Sequence, residues 1–151
     1  MISSKILRSK GSFRVVPIGI IKKEGKTVYI EIPQKYKDAL RGLDQFSHII
    51  VSSWFHKNDT RGKRSVLQVH PKGNMANPLT GVFATRSPAR PNLIAISVCK
   101  ILGVEGNIVH IDKTDALNGT PVIDIKPYIP RIDAISDARI PKWMESFADF
   151  D

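Results

Sequence analysis

Short β-branched runs, each closed by a turn signal, recur along this chain and leave it few folds to choose from. "FRVVPIGIIK" (13–22) and "KTVYIEIP" (26–33) are separated only by "KEG", the pattern of a hairpin. "FSHIIVSSWF" (46–55) starts with apolar and polar residues in alternation, and "RSVLQVH" (64–70) alternates as a strand with one wet face should. "LIAISVCKILGVEGNIVHID" (93–112) predicts two strands joined at the Gly-rich "GVEG". "TPVIDIKPYI" (120–129) predicts another, ended by Pro127 or Pro130. Between them, "PQKYKDALRGL" (33–43) predicts a short helix, with Pro33 at its start and Gly42 past its end. The tail "ARIPKWMESFADF" (138–150) suggests a terminal helix or turn carrying Trp143 and Phe147. About seven short strands at regular spacing point to a mainly β chain, an antiparallel barrel or sandwich with a few short helices. No repeat, low-complexity segment or linker interrupts the 151 residues, so a single domain over 1–151 is expected.

The net charge of +9 is unevenly spread. Residues 1–75 hold fifteen Lys and Arg against five acids, while residues 76–151 hold eight against nine. The excess sits in "KILRSKGSFR", "IKKEGK" and "HKNDTRGKR", the last contributing Arg61, Lys63 and Arg64. One-sided positive charge is the electrostatic footprint of a polyanion binder, although surface lysines also serve solubility. Charge alone names neither a partner nor a reaction.

Several chemistries lack their signal. No Gly-rich loop lies between a strand and a helix, so a dinucleotide fold or a P-loop is not supported. His48, His56, His70 and His110 are spread singly with no cysteine partner, and no metal site is expected. There is no "GxSxG" elbow for a hydrolase. The one cysteine, Cys99, lies in an apolar run and reads as a small core residue rather than a nucleophile. A lone buried thiol, no signal peptide and no membrane-length apolar stretch together predict a cytoplasmic protein.

Two loops look overbuilt for turns. In "GVFATRSPARPN" (81–92), Pro88 and Pro91 stiffen their own torsions and restrain Ser87 and Arg90 before them. A guanidinium on stiff backbone presents a planar fork suited to carboxylate or phosphate, and preorganisation lowers the entropy lost on binding. A stiff loop with its arginines in water fits the same letters. In "DKTDALNGTPVIDIKPY" (112–128), Asn118-Gly119 marks a tight turn and Thr120-Pro121 a hydroxyl with a stiff exit into a strand. Turn amides and carbonyls of this kind can recognise the edge of a heterocycle and a ribose. Asp115 or Asp124 could accept from hydroxyls, or simply pair with Lys113 or Lys126.

Taken together, "GVFATRSPARPN", the following "LIAIS" and "DALNGTPVIDIKPYIP" resemble the tRNA methyltransferase O family, also described as TsaA-like proteins. "PIGII" and "GLDQFSHIIVSSWFH" look like the family's upstream landmarks in the right order, so the likeness runs roughly from Pro17 to Asp133. The resemblance implies a single-sheeted antiparallel β-barrel that binds S-adenosylmethionine and works as a homodimer. It also implies methylation of the exocyclic nitrogen of a threonylcarbamoyl-adenosine beside the anticodon of tRNA. Carried over position by position, Arg86 resembles the arginine that pairs with the carboxylate of the cofactor's methionine part. His56 and Lys57 match residues lining the cofactor pocket, and Ile96 a position whose backbone meets the cofactor. Asn118, Gly119, Thr120 and Pro121 fall on the segment that holds the adenosine portion. Arg90 and Asn92 belong to the same corner, for tRNA contact or loop bracing, and Arg61, Lys63 and Arg64 for tRNA phosphate. Tyr128, Asp124 and His56 are the candidates for taking the proton from the reacting nitrogen. A non-catalytic barrel that binds S-adenosylmethionine or RNA is the alternative.

The chain departs from the family pattern in places. A Pro-Arg-Gln-containing segment is usual between the first two strands, and "IIKKEGKTVYI" is too short to hold one. Ala95 and Asn118 stand where glycine and aspartate are common.

Overall fold

The computed structural model describes residues 11–145. Six strands close into an antiparallel barrel: β1 (Gly19–Glu24), β2 (Thr27–Glu31), β3 (His48–Trp54), β6 (Ile94–Glu105), β7 (Ile108–Ile111) and β8 (Pro121–Pro127). Around the barrel they run β1-β2-β7-β6-β3-β8, and the two-residue pairing of Gly19 with Val122 and Ile20 with Pro121 completes the circle. Two short strands, β4 (Gln68–Val69) and β5 (Thr80–Gly81), form a separate ribbon. Helical structure is short: the seven-residue 3₁₀ helix Gln34–Leu40 and single turns that include α1 (Arg61–Arg64), α2 (Pro130–Asp133) and α3 (Lys142–Glu145). Among the described residues no helix is long and apolar enough to cross a membrane.

The core follows from the alternation of side chains along each strand. β3 turns Ile49, Val51 and Ser53 inward, where the first two meet Ile21, Ile30, Cys99, Val109, Ile111 and Val122. Leu40, at the end of the 3₁₀ helix Gln34–Leu40, joins the same cluster, so the expected helix after Pro33 exists in its tighter form. Each fully buried aliphatic side chain contributes about 1.5–3 kcal/mol, and a barrel of this size is filled by its own inward side chains.

Some expected strands are shorter than the letters suggest. The first begins at Gly19 rather than Phe13, and Phe13 is 93% exposed. Pairing starts only where β2 and β8 flank the chain, which Ile18 N announces by donating to Val122 O at 2.8 Å. "RSVLQVH" yields only Gln68–Val69, paired with the equally short Thr80–Gly81. Thr80–Gly81 is followed at once by a 3₁₀ turn, Val82–Ala84, that leads into the proline-stiffened corner. Trp143 falls in α3, whereas Phe147 and the basic residues Lys5, Arg8 and Lys10 lie outside the described residues.

The wall of the barrel has one gap in its strands. β3 pairs with β6 from Ile94 to Lys100, but β7 pairs with β6 only from Ile101 onward. The loop 112–120 fills the open edge. On the β6 side, Lys100 N donates to Asp112 Oδ1 at 2.9 Å, and Ser97 Oγ to Asp115 Oδ1 at 3.4 Å. On the β1 side, Lys23 N donates to Asn118 Oδ1 at 2.9 Å, Lys23 Nζ to Thr114 O at 2.8 Å, and Gly119 N to Ile21 O at 2.8 Å. Gly119 has φ +84°, a left-handed backbone that a side chain would strain.

Candidate functional site

The stiff corner is held by its own polar groups. Thr85 Oγ1 donates to Val82 O at 3.0 Å and accepts from Ser87 N at 3.2 Å. Ser87 Oγ accepts from Ala89 N at 3.2 Å. Arg90 folds back, its Nη1 donating to Thr85 O at 3.2 Å and Ser87 O at 3.3 Å. Of the two options the letters left for Arg90, loop bracing is the one its contacts display. Arg86 is different: it is exposed and, among the described residues, has no hydrogen-bond or ion-pair partner. One arginine therefore braces the corner on which the other is presented.

A second clip ties that corner to the loop after β3. Arg64 Nε pairs with Asp59 Oδ1 at 2.8 Å, and its Nη1 donates to Pro91 O at 3.1 Å. Trp54 Nε1 donates to the other oxygen, Asp59 Oδ2, at 3.1 Å, and the Arg64 guanidinium lies 5.3 Å from the Trp54 ring centre. The hydrogen bonds from Arg64 and then Trp54 hold the Asp59 carboxyl below its usual range, and the bond to Asp59 raises Arg64. The α1 turn that carries Arg64 starts at Thr60, whose Oγ1 accepts from Lys63 N at 3.2 Å.

Between these pieces lies a cleft of about 210 Å³ at one end of the barrel. Trp54, Phe55, Pro88, Ala116 and Leu117 supply apolar walls, His56, Lys57 and Asp115 polar ones, and Ser53, Ala95 and Thr120 also line it. A register shift lies beneath it: Ser52 faces Asp124 on β8 while Ser53 faces Val122, so Ile123 is an extra residue. A bulge of this kind bends its strand and re-aims nearby side chains.

The cleft gathers some of the expected site residues and separates others. His56 and Lys57 line it, as does Thr120, and Arg86 stands two residues before the lining Pro88. Asn118 and Gly119 fasten the loop to β1, while Pro121 opens onto a different groove beside Ile32 and Pro33. Ile96 sits opposite Ser52 with its side chain 54% exposed on the outer wall; its neighbour Ala95 reaches the cleft. Asp124 is also on the outer wall, bound to Lys126 Nζ at 2.6 Å. Tyr128 N donates to His48 O at the far end of β3, and the seven residues of β8 separate it from Thr120, roughly 25 Å. Of the three proton-acceptor candidates, only His56 is at the cleft. Arg61, Lys63 and Asn92 are exposed near its approach, whereas Arg64 is committed to its clip. Ser53, Trp54, Ala116 and Leu117 carry no pocket signal in the sequence, whereas Asp115, read there as a possible acceptor from hydroxyls, lines the cleft. Only the inward phase of β3 could have pointed to Ser53.

The segment usual in the family between the first two strands has no counterpart. Glu24 pairs directly with Thr27, leaving Gly25 and Lys26 as a two-residue turn, with Gly25 at φ +59°.

Known proteins resemble this chain in sequence and in fold. The family model described as tRNA-methyltransferase O N-terminal domain matches residues 10–134. A probable S-adenosyl-L-methionine-binding protein of Pyrococcus horikoshii is 51% identical over 122 residues, 81% of this chain and 87% of that protein. A tRNA (adenine(37)-N6)-methyltransferase of Homo sapiens is 43% identical over 112 residues, 74% of this chain but 24% of that protein. Among solved structures, TrmO from Pseudomonas aeruginosa superposes with a TM-score of 0.68 at 33% identity, over 87% of this chain and 62% of that one. A matched family domain, a relative 51% identical over 122 residues and a superposable solved fold lead to one conclusion: the chain belongs to the tRNA-methyltransferase O family.

Proposed function

We propose that the protein is an S-adenosylmethionine-dependent methyltransferase that acts on the N6 nitrogen of adenosine 37 in tRNA. The substrate form we propose is the threonylcarbamoyl-adenosine. The observation that carries this reading is convergence: the arginine corner, the turn after β3 and the loop 112–120 meet at one cleft, with Arg86 presented and unpaired beside it. Relatives named for S-adenosylmethionine binding and for tRNA adenine-N6 methylation support it.

The residues present fit the cofactor. Apolar walls suit its uncharged portion, and an exposed guanidinium on a braced loop suits its carboxylate. S-adenosylmethionine supplies an activated methyl group, so the protein needs no nucleophile of its own. What the chain must do is orient the two substrates, an effect that can contribute about 7–11 kcal/mol. Arg86 fixes the carboxylate end, and Lys57 adds positive charge at the rim. The N6 nitrogen of the modified adenosine is conjugated to a purine and a carbamoyl group and must lose a proton to react. His56, on the 3₁₀ turn His56–Asn58, is the group placed to accept it. Arg61 and Lys63 on α1 are free to meet tRNA phosphate in the same approach.

A homodimer is part of the proposal. The outer face of β6 exposes Ile94, Ile96 and Val98, with Leu102 beyond the exposed Lys100, and a second copy would cover this apolar row. Cytoplasmic placement follows from a tRNA substrate. The test is transfer of labelled methyl to tRNA that carries or lacks the threonylcarbamoyl group. Transfer to the modified tRNA, lost in Arg86→Ala, is the expected outcome, and cofactor binding without transfer to either would leave a binding module instead.

A further inference from the structure

Two hydroxyls line the cleft from its driest part. Ser53 is 2% and Thr120 5% exposed, and both residues line the cleft. Among the described residues neither side chain has a hydrogen-bond partner, yet neither oxygen is sealed away from access. Buried hydroxyls are nearly always paired, because taking one from water without a partner is unfavourable. Here the backbone explains the placement. Ser53 is the last inward residue of β3, aimed by the register shift beside it, and Thr120 is fixed where Ile21 N donates to its carbonyl at 2.9 Å.

The surroundings narrow what would pair with them. At about 210 Å³ the cleft is smaller than the roughly 300–1,000 Å³ typical for a whole small molecule, so it takes one end of a ligand. Trp54, Phe55 and Leu117 favour a flat, uncharged ring, while the cations Lys57 and Arg86 are exposed. A hydroxyl both donates and accepts, and an adenine edge offers an amino donor beside a ring-nitrogen acceptor. We infer that Ser53, lining the cleft beside Thr120 of the segment already read as holding the adenosine portion, adds a hydroxyl that hydrogen-bonds the amino edge of the purine ring, which makes Ser53 a specificity-determining residue. The inference deepens the methyltransferase reading and rests on it for the identity of the nucleoside.

The test is calorimetry on the full chain with three probes: S-adenosylmethionine, 5′-methylthioadenosine and its 6-oxo counterpart, 5′-methylthioinosine. Ser53→Ala and Thr120→Val are each expected to weaken the first two by a similar factor, about two- to tenfold for one neutral hydrogen bond. Thr120→Ser keeps the hydroxyl and the affinity. The intact protein is expected to prefer methylthioadenosine to methylthioinosine, and Ser53→Ala to narrow that preference. Arg86→Ala weakens S-adenosylmethionine alone. Unchanged affinities in Ser53→Ala would mean that the hydroxyls hold only water, and would overturn the inference while leaving the cofactor reading intact. Binding of methylthioadenosine but not S-adenosylmethionine, still weakened by Ser53→Ala, would sink the cofactor reading and keep the Ser53 contact. Binding of no probe by the intact protein would sink both. Should Thr120→Val fail to fold, judged by circular dichroism, Ser53→Ala and Thr120→Ser decide.

Discussion

Arg86 and Arg90 are four residues apart on one loop, and the account assigns them opposite energetic signatures. Arg86 is exposed and has no partner among the described residues, so Arg86→Ala removes nothing the folded protein uses. Its effect on unfolding free energy should stay within about 0.5 kcal/mol. Its effect on cofactor binding should be that of a lost charged hydrogen bond, about 1.5–3 kcal/mol, which is roughly ten- to a hundredfold in Kd. Arg90 is half-buried and donates to the carbonyls of Thr85 and Ser87, 3.2 and 3.3 Å away. Arg90→Ala releases both carbonyls and frees the corner to relax. Water can reach them, so a stability loss of about 1–2 kcal/mol is the reasonable scale. Cofactor binding should weaken as well, because the loop that presents Arg86 is no longer held. Chemical denaturation and calorimetry on the two variants separate the roles. The reasoning is refuted if Arg86→Ala destabilises the fold as much as Arg90→Ala, or if Arg90→Ala leaves affinity unchanged.

Three further outcomes follow from the same contacts. Asp59 has a depressed pKa in the folded state, so its stabilisation is present above the ordinary carboxylate value of about 4 and is lost as pH falls through the folded value. In a Trp143→Phe background, Trp54 fluorescence should hold steady from neutral pH to about pH 4 and change below it; Asp59→Asn should abolish that transition. Burial, then the nearby Asp112 and Asp115, pushes the Cys99 thiol up to about 11, so it should resist a thiol reagent at pH 8 until denaturant is added. Rapid native-state labelling would contradict its core position. Ile49→Ala empties a fully buried site in the barrel and should cost about 2–5 kcal/mol by urea denaturation, whereas Ile96→Ala on the outer wall of the monomer should cost far less.

The barrel was legible because β-branched residues crowd β2, β3 and β7 between turn signals, although which face is dry, alternate residues along β3 and β7, emerges only in the fold. The signal failed at "FRVVP" and "RSVLQVH", whose letters are those of strands but which lack neighbours with free edges over their full length. The prolines at 88 and 91 correctly marked a rigid corner. They could not say which arginine would brace it, because that depends on which carbonyls turn toward which side chain. Arg64 was read as a phosphate contact from its basic neighbours, yet its partner Pro91 lies 27 residues away. Tyr128 and Thr120 share one motif in the sequence, but an extended strand carries them to opposite ends of the barrel. Ser53 was hidden for another reason. One of two adjacent serines in β3 carries no signal until a register shift and a loop from 112–120 make it the lining of a cleft.

The central claim is methyl transfer at N6 of adenosine 37, with Arg86 holding the cofactor. Its most direct measurement is mass spectrometry of tRNA nucleosides after incubation with the protein and S-adenosylmethionine bearing a labelled methyl group. The account predicts one labelled methyl on the threonylcarbamoyl-adenosine of modified tRNA, none on tRNA lacking that group, and a large loss with Arg86→Ala. Label on a different nucleoside, or undiminished transfer by Arg86→Ala, would contradict it.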